Sequence, residues 1–188
     1  MKFKRHFDLE GKHAFLGASQ SSWLNYDLEH LRTRWFNEKA RQEGTELHEL
    51  AKTLIQKHIK LPKSRKTLNA YVNDAIGFDL QPEVLLYYSD NIFGTADAIR
   101  FDDKKKFLRI HDLKTGVGKV HMEQLMIYAA LFCLEYNIKP SEIEMELRIY
   151  QNDDVQVMKP EPNDIIPIID KIISFDNYLD KLIEEEGV

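Results

Sequence analysis

The segment from Ile92 to Tyr136 limits the folds open to this chain more than any other. Two apolar stretches, Ile92–Phe101 and Phe107–Lys114, flank the charged turn Asp102-Asp103-Lys104-Lys105. That pattern reads as an antiparallel hairpin. Gln81–Tyr88 precedes it as a third strand, after the turn Ser89-Asp90-Asn91, and completes a meander. Thr115-Gly116-Val117-Gly118 then leaves the sheet as a flexible loop, and Lys119–Tyr136 reads as a strongly apolar helix. On that helix His121, Gln124 and Tyr128 are expected to share one face.

Strand geometry also brings chemistry together. Side chains two apart on a strand share a face, so Asp112 and Lys114 point the same way, with Leu108 and Ile110 behind them. Asp97 lies on the neighbouring strand. The carbonyl of Leu113 falls between Asp112 and Lys114. Two carboxylates and a carbonyl form a hard oxygen site suited to Mg²⁺ or Mn²⁺, and Lys114 can face the same reacting phosphate.

The rest of the chain supplies layers for this centre. A short strand or packed arm at Phe15-Leu16 is expected first, then a helix from Ser21 or Ser22 through Glu38. A second helix is expected to open at Gly44-Thr45, with Thr45 as its N-cap. Leu47, Leu50, Ala51, Leu54, Ile55 and His58 then recur at helical spacing, and Pro62 follows. His48 sits at the margin of that buried stripe, where it can reach a cleft. A further helix is read over Lys63–Ile76, ended by Gly77. After Pro140, Ile143–Tyr150 and Val155–Met158 form a hairpin around Asn152-Asp153-Asp154, whose aspartates read as turn formers. Asp164–Ile183 closes the chain as an amphipathic helix ending in an acidic tail. Helices, a meander, a helix, a strand pair and a final helix predict an α/β or α+β fold with one mixed sheet flanked by helices. Of 188 residues, a single domain is expected: arm and helix over 1–40, core over 44–158, closing helix and tail over 162–188.

Composition removes several function classes. One cysteine, Cys133, excludes an internal disulfide and a four-cysteine cluster. No apolar run is long enough for a transmembrane helix, and no secretory signal is read at the N-terminus, so no membrane partner and a cytoplasmic location are expected. The net charge of −5 argues against a polyanionic partner, but its distribution does not. Arg32–Lys66 carries ten Lys/Arg against four acids, whereas residues 141–188 carry four against thirteen. A local basic surface can therefore bind phosphates on an acidic protein.

These residues together resemble the PD-(D/E)xK nuclease superfamily, and within it the RecB-like exonuclease clade. Gly44-Thr45-Glu46-Leu47-His48-Glu49 resembles the clade's helical histidine motif. Glu83 matches its upstream glutamate, Gly94-Thr95-Ala96-Asp97 its glycine-to-aspartate motif, and Asp112-Leu113-Lys114-Thr115-Gly116 its Asp-x-Lys-Thr-Gly motif. Gln124 with Tyr128 matches Gln-x3-Tyr. The second acid is Asp112, where many superfamily members have Glu.

The resemblance implies a restriction-endonuclease-like core and a metal-dependent DNA exonuclease of recombination, repair or end processing. It implies that Asp97, Asp112 and Lys114 are catalytic, and that Asp97, Asp112, the Leu113 carbonyl and His48 hold Mg²⁺ or Mn²⁺, with no iron–sulfur cluster. Gln124 and Tyr128 would position DNA or the lysine, and Glu83 would touch the site through water. DNA would be held by its backbone with low sequence preference. A homo-oligomer or a recombination or helicase partner is compatible with this. A structure-specific or flap endonuclease of the same fold and a catalytically silent binding module are the alternatives.

Overall fold

The computed structural model describes residues 7–9 and 11–186, so the basic start Met1–His6 lies outside them. The chain divides into two compact units, one ending at Glu43 and the other beginning at Gly44. Helix α1, Leu28–Gln56, runs continuously through that boundary.

In the first unit Phe15 and Leu16 lie in a turn and form no strand. Ser21–Asn25 is a 3₁₀ turn, so the expected helix starts later. Asp27 determines where: its carboxylate accepts the His30 N–H at 2.7 Å, and α1 begins at Leu28. Such a cap satisfies a donor that the first turn otherwise leaves open. The expected break before Thr45 does not occur. Residues 38–43 include helix formers, and Arg41–Glu38 and Lys39–Glu43 pairs support them at helical spacing. A lone glycine costs such a helix only about 1 kcal/mol. Thr45 therefore lies mid-helix and does not open it.

The second unit is built on a five-stranded sheet: β1 (Gln81–Ser89), β2 (Ile92–Asp102), β3 (Phe107–Leu113), β4 (Glu144–Gln151) and β5 (Asp154–Met158), in the order β1-β2-β3-β4-β5. Neighbours are antiparallel except β3 and β4, which run parallel. A parallel pair needs a crossover, and α3 (Glu123–Glu135) supplies it. The sheet is thus mixed and flanked by helices, as the sequence pattern predicts.

Each sheet face has its own core. On one, Leu86, Leu108, Ile110 and Leu147 meet Leu125 and Ala129 of α3 and Ile165 of α4 (Pro162–Glu186). On the other, Ala98, Leu113 and Tyr150 meet Ala51 and Ile55 of α1 and Val72 and Ala75 of α2 (Thr67–Gly77). Each fully buried Leu or Ile contributes about 1.5–3 kcal/mol through surface removed from water.

Several boundaries differ from expectation. α2 starts four residues late, at Thr67, because its first N–H is met from a distant turn: Thr67 N–H donates to Asp153 Oδ1 at 2.8 Å, and Asp153 N–H returns to Thr67 Oγ1 at 2.7 Å. The β4–β5 turn is two residues, Asn152 and Asp153, both with positive φ (51° and 60°), and Asp154 already belongs to β5. That turn matches the twist of the strands it joins. α3 starts at Glu123, so His121 lies in the loop before it, exposed, beside Glu123. α4 begins at Pro162, whose missing N–H costs nothing at a first helical position.

Candidate active site

β2 and β3 hold their ladder from Asp102↔Phe107 to Ala98↔His111. One step further, the same register sets Asp97 opposite Asp112. There the backbone pairing gives way to a side chain: Leu113 N–H donates to Asp97 Oδ2 at 2.8 Å. On the other flank, Pro82 pairs with Ala98 and Val84 with Ala96, which sets Glu83 opposite Asp97. Glu83 has φ 55°, a left-handed conformation uncommon for a residue other than glycine.

The alternation of both strands breaks at this pair. Ala96 is in the core under α3, but Ala98, two residues on, is in the core under α1 and α2. Gln81, Val84 and Leu86 line one cavity although 81 and 84 differ in parity. A regular strand would send the carboxylates of Glu83 and Asp97 along one row with their neighbours. The break turns them instead toward α1. His48 of α1 lies with Nδ1 3.5 Å from Asp97 Oδ2. One ligand atom each of His48, Glu83 and Asp97 all fall within 4.8 Å of one another, and all three residues are half-buried.

Asp112 is buried, with about 1% of its surface exposed. Both of its oxygens lie 3.1 Å from Lys114 Nζ, but only Oδ1 is aligned to accept a hydrogen bond; buried Oδ2 has no hydrogen-bond partner among the described residues. An oxygen in that state is costly unless something else meets it. Lys114 follows the end of β3, where its N–H donates to Tyr150 O of β4 at 2.9 Å. Its ammonium also donates to Gln124 Oε1 at 2.8 Å, and Gln124 Nε2 donates to Tyr128 Oη at 3.0 Å. Asp112, Lys114, Gln124 and Tyr128 thus form one hydrogen-bonded row from sheet to helix.

Two glycines permit these approaches. A Cβ on Gly94 would come 2.9 Å from Tyr128 Cε1, so the bare strand lets the ring lie against β2. A Cβ on Gly44 would come 2.7 Å from Thr115 Oγ1, so α1 and the loop after β3 touch only because that position is glycine. Gly44 therefore serves packing inside the helix and does not open it.

The electrostatics follow from burial. Desolvation first, and then the charge of Asp112, push the Asp97 carboxyl up to about 6, against the Leu113 N–H and His48. Desolvation likewise raises Asp112, with Lys114 and His48 pulling the other way. Three carboxylates, Glu83, Asp97 and Asp112, face one ammonium, Lys114.

The expected site residues sit in this region, whereas His121 lies exposed in the loop before α3. His48, Glu83 and Asp97 form one cluster; Asp112, Lys114, Gln124 and Tyr128 form the adjoining row. Leu113 joins them through its N–H, with its side chain buried in the α1–α2 core. Asp97 takes neither Arg100 nor Arg109, which pair with Asp79 and Glu146. His111 faces the other way, against Phe78 and Tyr150. Lys105 and Lys106 pair within their own turn. Sequence reasoning gave Glu83 a role at one remove, and no periodic signal marks the turned backbone that brings it in. A cavity of about 600 Å³ opens beside Gln81, Phe101 and Tyr136 and includes no residue of this site.

No protein-family profile, no curated protein and no solved structure matches this chain. The resemblance to the nuclease superfamily therefore rests on the sequence motifs alone.

Proposed function

We propose that this chain is a metal-dependent deoxyribonuclease, an exonuclease hydrolysing phosphodiester bonds in DNA recombination, repair or end processing, on a PD-(D/E)xK core. The observation that carries the reading is the charge imbalance of the site. Glu83, Asp97 and Asp112 outnumber Lys114 by two formal charges, with one buried Asp112 oxygen unpartnered. Hard oxygens and one imidazole suit Mg²⁺ or Mn²⁺. His48, Glu83 and Asp97, with the open oxygen of Asp112, would hold such an ion. Bound there, it would lower the pKa of an attacking water and offset charge on the phosphate.

The chain's own groups account for the rest. Asp112 and Gln124 fix the Lys114 ammonium, which can then hold a phosphate oxygen or orient the attacking water. Tyr128 fixes Gln124. DNA would be bound by its backbone, with low sequence preference. With DNA as its partner, alone or beside a second copy or a helicase, the protein would act in the cytoplasm of a bacterial or phage-infected cell.

Cleavage of end-labelled linear duplex, single-stranded and closed circular DNA, with Mg²⁺, Mn²⁺ or EDTA and beside Asp112→Ala, tests this reading. Metal-dependent loss of linear DNA with the circle intact is expected. Cutting of the circle would replace the exonuclease with an endonuclease. Binding without cleavage under any metal would leave a silent module.

A further inference from the structure

The ten residues between α1 and α2 that run from Lys57 to Lys66 contain Lys57, Lys60, Lys63, Arg65 and Lys66 and no acid. All five cations are exposed, and none has an ion pair among the described residues. In a chain of net charge −5 this is a concentrated, uncompensated patch. Lys39, Lys105 and Lys106, by contrast, lie beside acids at helical or turn spacing.

The patch has a destination. Lys66 lines a cavity of about 490 Å³ whose other walls include Leu47, Leu68, Thr115 and Lys114. Lys66 spends none of its side chain on capping α2. The one acid on the cavity wall, Asp153, is held in place through Oδ1, which accepts both the N–H and the hydroxyl of Thr67. The cavity thus joins two lysines and an apolar wall, and one of those lysines belongs to the catalytic row. Cation, apolar surface and cation in sequence match phosphate, sugar or base, and phosphate.

We infer that a nucleic-acid strand reaches the site along this loop, its phosphodiesters on Lys60, Lys63, Arg65 and Lys66 and one nucleotide in the cavity before Lys114. The inference rests on the nuclease reading for its substrate class. It adds the track by which the substrate enters, and it assigns binding to a loop that carries none of the motif residues.

The test uses the full chain carrying Asp112→Ala in EDTA, so that a labelled single-stranded oligonucleotide is bound and not cut. Two triple variants remove the same charge at different places: Lys60→Gln/Lys63→Gln/Arg65→Gln in the loop, and Lys104→Gln/Lys105→Gln/Lys106→Gln in the β2–β3 turn. Each phosphate contact contributes about 0.7 to the slope of log affinity against log salt for a single strand. The loop variant is expected to lower that slope by about 2 and to weaken low-salt binding by roughly tenfold or more. The turn variant is expected to change neither. Asn152→Asp, which adds a carboxylate to the cavity wall at a position whose backbone suits Asp, is expected to weaken binding about threefold. Equal losses in both triple variants, no loss in the loop variant, or unchanged binding by Asn152→Asp would overturn the track. Cleavage by the protein with Asp112 restored separates the two readings. Binding through the loop with no cleavage under any metal refutes the nuclease and leaves the track standing. Cleavage with unchanged KM in the loop variant refutes the track and leaves the nuclease.

Discussion

Two charged clusters share β3, and they are solved in opposite ways. At one, Arg109 and Arg148 both donate to Glu146 Oε1, at 2.8 and 2.9 Å, while Arg148 and the Tyr150 hydroxyl reach Asp74 of α2 at 3.2 and 2.7 Å. Two cations meet two anions there. Burial would raise the Glu146 carboxyl, but the two arginines outweigh it and hold it below its usual range. At the other cluster, three carboxylates meet one ammonium, and burial raises both Asp97 and Asp112. A balanced network favours the fold. An unbalanced one is kept at a cost, and that cost is what the proposed metal would offset.

That contrast can be broken in order of expected effect. On the proposed nuclease reading, Asp112→Asn should reduce cleavage by about a thousandfold or more, since it would remove charge that the transition state would need. The same variant should unfold at the same temperature as the parent or higher, because it relieves a buried carboxylate. A large drop in Tm would make Asp112 a structural residue.

Glu146→Gln should do the reverse. It removes the charge of the acceptor that Arg109 and Arg148 share, and should lose about 3–5 kcal/mol in urea unfolding while the Asp112–Lys114 row is untouched. It should also flatten the acid limb of stability. The Glu146 carboxyl titrates lower in the fold than in the unfolded chain. Its contribution is therefore complete above the unfolded value of about 4.3 and lost as pH falls through the folded one. An unchanged acid limb would show that the network is not felt.

Gly94→Ala should cost about 1–2 kcal/mol by forcing a methyl against the Tyr128 ring, and it should slow turnover by moving Gln124. Full activity would mean that the ring yields without disturbing Lys114. The smallest effect is expected from Tyr128→Phe, which removes the acceptor of the Gln124 amide at a cost of roughly 1 kcal/mol. A thermal-shift measurement beside initial rates resolves it.

Much of this site was legible because strands and helices have fixed periods. The opposition of Asp97 and Asp112 follows from one charged turn, and Gln124 with Tyr128 from a helix spacing of four. What was hidden is where a period fails. The left-handed backbone at Glu83 and the reversal at Asp97 have no residue signature, because neither position is glycine. Thr45 was read as a cap because a threonine after a glycine resembles a helix start, yet a long helix absorbed both. The function of Gly44 and Gly94 as clearances for Thr115 and Tyr128 is a tertiary fact. So is the pairing of Thr67 with Asp153, residues with no local relation.

That last pairing has a temporal side. α2 receives its first cap from a turn 86 residues downstream, and the Lys114 backbone is tied to Tyr150 of β4. On a ribosome, synthesis passes every motif residue before the hairpin that fastens them exists. A nascent chain ending before β4 would carry His48, Asp97, Asp112 and Lys114 but not the clasp on α2 or the tie behind Lys114. The arrangement of these side chains therefore waits for β4 and β5 to be made, a late event in its birth.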